Sequence, residues 1–157
     1  MSTVEERLAA LGLVLPPVSR PVANYVPAVR SGNLLFLAGQ VPRDEQGRLV
    51  AGRVGDTMDI DAAYQAARTC ALQALAVVKD DLGDLDRVVR VVRVLGLVNA
   101  VPDFVEQPAV VNGFSDLMVE AFGDAGRHAR VAYGAGSLPG GVPVEVESLF
   151  EVVDRPA

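Results

Sequence analysis

Apolar residues recur along this chain at two periods, and each switch between them marks a new element. Val4, Leu8 and Leu11 stand at helical spacing with charged residues between them, which predicts a short amphipathic helix over residues 4–11. Leu15-Pro16-Pro17 ends it and opens an extended connection. Residues 25–29 and 33–40 are short apolar runs separated by Ser31-Gly32, and read as two strands. Asp44-Glu45-Gln46-Gly47 marks a second turn, with a short return over residues 48–50. The opening third is therefore expected to be a β meander.

A long helix is predicted next, beginning near residues 57–59, whose Thr and Asp are good N-caps, and ending at Gly83. Ala63, Ala67, Cys70, Ala74 and Val77 recur every three or four residues and form a face that can lie on a sheet. Residues 87–98 carry two signals. Arg87, Arg90 and Arg93 repeat every three residues, as on a helix, but the density of valine favours a strand, and that decides the assignment. A second helix is predicted over residues 102–122, with Pro108 bending it or delaying its start. Two valine-rich strands then flank Leu138-Pro139-Gly140-Gly141, a strong turn signal, and are expected to pair as a hairpin. Strand-to-strand connections through helices imply right-handed crossovers that place both helices on one face of the sheet. The other face needs cover, and a second copy of the chain is the simplest candidate.

That final stretch also holds the candidate chemistry. Side chains alternate along a strand, so Glu145 and Glu147 share a face of theirs, as Arg130 and Ala132 do. A guanidinium and a carboxylate on one sheet surface can clamp a small anionic molecule and move a proton beside it. A structural alternative stays open: Arg130 as a surface residue paired across the sheet with Glu145 or Glu147. Glu147 reads as structural, His128 as solvent-facing beside a turn, and Arg87, Arg90 and Arg93 as solvated or interfacial.

Composition narrows the function classes. The 157 residues are read as one domain, with residues 1–20 a helical extension at its start. Half of them are hydrophobic but only 5% are aromatic, so the core must be built from Val, Leu and Ala. A net charge of -6 argues against a phosphate-backbone binder. One cysteine, Cys70, on the apolar stripe of the long helix, is expected to be a buried thiol; one histidine excludes a multi-histidine metal site. No metal and no cofactor are expected. With no signal-peptide pattern and no apolar run of membrane length, the expectation is a soluble, cytoplasmic chain.

Five stretches, in order, resemble one family: Asn24-Tyr25-Val26; residues 34–37 running into Ala38-Gly39-Gln40-Val41-Pro42; Val111-Asn112; Arg130; and Leu138-Pro139 leading to Val144-Glu145-Val146-Glu147. The chain resembles the Rid family of reactive intermediate deaminases, the YjgF-like proteins once called endoribonuclease L-PSP, and within it a longer, bacterial-type subgroup. The resemblance implies an α+β, chorismate-mutase-like fold with a mixed sheet and two helices on one face, assembled as a homotrimer with ligand clefts between subunits. It implies that Arg130 binds the carboxylate of a small 2-imino or 2-oxo acid, that Glu145 handles the attacking water, and that Tyr25, Gly39 and Asn112 line the pocket. The implied reaction is hydrolytic deamination of enamines or imines to 2-oxo acids and ammonia, with neither cofactor nor metal. Ala132 stands where many active members carry cysteine. That departure keeps open a non-catalytic, trimeric binder of small carboxylates. An endoribonuclease is the weakest reading, since the chain is acidic and lacks a histidine pair or a basic aromatic stripe.

Overall fold

A computed structural model describes residues 3–153. Eight main elements follow in chain order: α1 (Val4–Ala10), β1 (Ala28–Ser31), β2 (Leu34–Gln40), α2 (Ile60–Leu82), β3 (Val88–Asn99), α3 (Gln107–Phe122), β4 (Ala129–Ala135) and β5 (Val144–Val152). Each boundary has a local cause. Thr3 and Glu6 form a capping box at α1, and Asp59 accepts from the Ala62 amide at the start of α2. Gly83 ends α2 in the left-handed conformation. Pro108 sets the start of α3 five residues later than predicted, because proline is tolerated in a first turn and not further in. The segment read as a strand from residue 25 enters the sheet only at Ala28, and the return near residue 49 is reduced to a single bridge between Arg43 and Leu49.

The sheet has five strands in the order β1-β2-β5-β3-β4; β3 and β4 run parallel and the other neighbours antiparallel. This corrects the expected hairpin. β4 and β5 do not pair, because β3 lies between them. The side chains explain the choice. The face that β5 turns to the helices carries Val144, Val146, Phe150 and Val152, all buried, and needs a central position to bury them. The same face of β4 carries Arg130, Ala132 and Gly134, which suit an edge. The loop through Pro139–Gly141, with Gly140 and Gly141 at positive φ, carries the chain past the end of β3.

Helices α2 and α3 cover one face of the sheet, as predicted. The short α1 packs against α3 through the buried Val4 and Leu8, so the helical layer holds three helices rather than two. Small residues set the spacing. Ala63, Ala67, Cys70, Ala71 and Ala74 of α2 are fully buried. A Cβ on Gly113 of α3 would lie 2.0 Å from the Tyr64 carbonyl oxygen of α2, so the two helices meet backbone to backbone there. Gly96 of β3 likewise receives Val111 of α3. The opposite face lacks helices. Val29, Phe36, Val131 and Tyr133 are about half exposed on it; the pairs Val29–Phe36, Leu95–Val131 and Leu97–Tyr133 make two apolar patches, with Glu145, Glu147 and Glu151 of β5 on the strand between them.

Candidate functional site

The predicted site residues fall into two groups, set on different parts of the sheet. The first surrounds Glu145. β5 presents Glu145 beside Leu97, on the face without helices. The β2–β5 register slips between Leu37 and Gln40, and Gly39 lies in that irregularity. A Cβ on Gly39 would come within 2.2 Å of Glu145 Oε1, so the carboxylate rests against bare backbone. Tyr25, Gly39 and Glu145 line one cleft of about 660 Å³, together with Gln73 and Val77 of α2 and with Arg20 and Arg43. Glu145 has no hydrogen bond or ion pair among the described residues. Burial alone raises its carboxyl above the ordinary value. A carboxyl shifted in that direction holds its proton more readily than a solvated one and is a stronger base once ionised.

The second group surrounds Arg130 on β4. Its Nη1 donates to Asn112 Oδ1 at 2.8 Å and to Ser115 Oγ at 3.0 Å, both on α3. Nη2 makes one long contact, 3.5 Å, to the Pro108 carbonyl. No carboxylate pairs with Arg130 among the described residues, so the alternative of an ion pair with Glu145 or Glu147 is not realised. Both protons of Nη1 are used, which leaves the Nε–Nη2 edge, two parallel donors, to meet an incoming carboxylate.

Within one chain the two groups cannot share a substrate. Arg130 pairs with Val94 and Glu145 with Leu97, two strands and three residues apart, about 10 Å along each direction, with side chains on opposite faces. Asn112, placed by resemblance at the pocket edge, accepts from Arg130 and does not line the cleft that holds Tyr25 and Gly39.

Two contributors were missed. Gln73 is 5% exposed and borders the Glu145 cleft; its place on the buried α2 stripe reads as core packing in sequence. His128 is not solvent-facing: it is half-buried, its Nε2 lies 2.9 Å from Ser115 Oγ and its Nδ1 2.6 Å from the Gly126 carbonyl. The signal was present, since Asn112 and Ser115 are three apart on one helix face while His128 stands two residues before Arg130, just ahead of β4. Cys70 is buried as expected; burial first, and the Glu145 charge second, push its thiol upward. Among the described residues no cluster of His, Cys, Asp and Glu could hold a metal, and no helix is long and apolar enough to cross a membrane.

Comparison with known proteins gives this geometry a family. Residues 5–149 match the family model described as "YjgF/chorismate_mutase-like, putative endoribonuclease". The chain belongs to the YjgF family. It is 44% identical over 150 residues to Protein TCP17 of Trypanosoma cruzi, covering 95% of this chain and 94% of that one. A solved protein of unknown function from Agrobacterium tumefaciens is 44% identical, with a TM-score of 0.88 over 96% of this chain and 94% of its own. RidA from an Antarctic Psychrobacter has a TM-score of 0.61 over 86% of this chain and 94% of its own; at 24% identity it shares the fold. The five-strand mixed sheet with its helical layer is thus the YjgF, chorismate-mutase-like architecture.

Proposed function

We propose that this YjgF-family protein hydrolyses small reactive 2-imino acids to 2-oxo acids and ammonia, at clefts shared between copies of the chain in a homotrimer. The reading is carried by one observation. Arg130 offers an open donor edge, Glu145 lies in an open cleft that Arg20 and Arg43 also line but has no ion-pair partner among the described residues, and the sheet holds Arg130 and Glu145 too far apart to act together in one copy. A neighbouring copy packed on the sheet face without helices would bring its own Tyr25, Gly39 and Glu145 toward the β4 edge. Val29, Phe36, Val131 and Tyr133 would be covered by the same contact.

In that cleft Arg130 grips the substrate carboxylate through its Nε–Nη2 fork. The protonated Glu145 carboxyl donates to the imine nitrogen, which makes the imine carbon electrophilic. Water adds to that carbon and gives a proton back to the Glu145 carboxylate. The carbinolamine then transfers its hydroxyl proton to the nitrogen, the C–N bond breaks, and ammonia leaves a 2-oxo acid. Such imines hydrolyse unaided, so positioning and one acid–base group are sufficient catalysis.

Subunit mixing tests both the chemistry and the sharing. The imine is generated in situ by an amino acid oxidase, and ammonia release is followed. Arg130→Ala and Glu145→Gln proteins are each expected to be inactive. Unfolded together and refolded at equal ratio, they should recover about a quarter of wild-type activity, because a mixed trimer regenerates one intact cleft in three. No recovery, with trimers present, places the two residues in one subunit's site or in none. A wild-type protein that leaves imine decay at the buffer rate but binds pyruvate through Arg130 is the binding protein that Ala132 keeps open.

A further inference from the structure

A single hydrogen-bonded chain runs behind Arg130. Gly126 offers a carbonyl, which only accepts, so the 2.6 Å contact assigns the proton of neutral His128 to Nδ1. Nε2 of the same ring must then accept, and the 2.9 Å partner, Ser115 Oγ, donates its hydroxyl proton to it. That leaves the lone pairs of Oγ free to accept from Arg130 Nη1 at 3.0 Å. Every donor in the sequence has one acceptor, and every role is decided by the one before it. A single rotamer of Ser115 satisfies both neighbours.

The consequence is directional. Asn112 and Ser115 together take both protons of Nη1, which fixes the plane of the guanidinium and leaves the Nε–Nη2 edge outward. An arginine on an edge strand otherwise has several rotamers to lose on binding. From this we infer that Ser115 and His128 are positioning residues for the carboxylate-binding arm, orienting Arg130 toward a 2-oxo or 2-imino acid and coupling its capture to the protonation state of the His128 ring. This rests on the reading of Arg130 as the anion anchor and adds to it the residues that aim it.

The charged groups facing the ring are Arg130 from β4, Arg127 from the preceding turn and Asp116 from α3, which lines the same shallow depression and accepts from the Tyr64 hydroxyl at 2.8 Å. Arg127 is itself paired with Asp124. Burial first, with Arg130 adding to it, holds His128 below the ordinary histidine value against the opposing pull of the Gly126 carbonyl, so the free protein carries it neutral at pH 7. A carboxylate docked on Arg130 adds a negative charge nearby and favours the protonated ring. By linkage, protonation strengthens anion binding by the same factor. Affinity is therefore expected to be level above the ordinary histidine range and to rise as the pH falls below it.

Titration calorimetry with pyruvate, from pH 5 to 8, tests this on wild-type protein and on Ser115→Ala, Ser115→Thr, His128→Gln and Arg130→Ala variants, each checked for folding by circular dichroism. Ser115→Ala is expected to weaken binding about 10-fold, the usual worth of one hydrogen bond to a charged group, and Ser115→Thr to restore most of it. His128→Gln should remove the rise in affinity at low pH together with the proton uptake seen in buffers of different ionisation enthalpy. Wild-type affinity and pH dependence in Ser115→Ala and His128→Gln, with binding lost in Arg130→Ala, would overturn the positioning role and leave the anchor standing. Absence of binding by the wild type, or equal binding by Arg130→Ala, overturns the anchor itself.

Discussion

Replacing Gly39 with alanine is the sharpest perturbation this site allows. Gly39 has no positive φ, so alanine meets no backbone strain there, and the position is exposed. The new methyl would nonetheless sit 2.2 Å from Glu145 Oε1, 3.0 Å from its Cδ and 3.1 Å from its Cγ. An ordinary contact begins near 3.4 Å, so the carboxylate must retreat by about 1 Å. The carboxylate is the flexible end of the Glu145 side chain and can do so at little cost to the fold; the free energy of unfolding should change by no more than about 0.5 kcal/mol. Catalysis is less forgiving. Misplacing a reacting group by about 1 Å costs on the order of 100-fold, or about 2.7 kcal/mol in the barrier. The assay is ammonia release from oxidase-generated imine, at matched protein concentration, with Glu145→Gln as the fully disabled reference. Binding of pyruvate, which depends on Arg130, should change far less than turnover. Turnover within a factor of three of wild type would show that the carboxylate does not act from its place over Gly39, and the acid–base role given to Glu145 would fall.

Three further outcomes follow from the same geometry. Arg130→Lys keeps the charge but loses the two-donor edge and the second proton on Nη1, so pyruvate affinity should drop about 10-fold by calorimetry; unchanged affinity would exclude bidentate capture. Gly113→Ala drives a methyl into the Tyr64 carbonyl and should destabilise the fold by about 2–3 kcal/mol in urea, with an unchanged midpoint refuting the close helix contact. Glu145 has a raised carboxyl value in the folded state, so the folded protein holds that proton more tightly than the unfolded chain and stability falls as pH rises through that window. Glu145→Gln should therefore be no more stable than wild type at pH 4 but more stable at pH 7, and equal unfolding midpoints at both would remove the desolvation argument.

How much of this was legible beforehand depends on the range of the interaction concerned. α2 was read nearly to its ends because Asp59 and Gly83 act on their own backbone and the alanine stripe repeats within the helix. β3 was read against the three-residue arginine period because β-branched side chains meet their preference locally. The site was legible only as residue types: the structure sets Glu145 and Gly39 in one cleft and Arg130 elsewhere, without a carboxylate partner among the described residues. The hairpin was misread. A Pro-Gly-Gly turn between two valine-rich strands says that the chain reverses there, not which strand lies alongside.

Composition and local pattern by themselves determined the kinds and order of the main elements and named Arg130 and Glu145 as candidates to hold an anion and move a proton, since those depend on each residue and its near neighbours. Tertiary structure alone decided that β3 separates Arg130 from Glu145, that Gly39 leaves room for a carboxylate, and that Ser115 and His128 stand behind the guanidinium. Strand order is chosen by which side chains can be buried once the whole sheet forms. That competition among distant segments leaves no mark on any one of them.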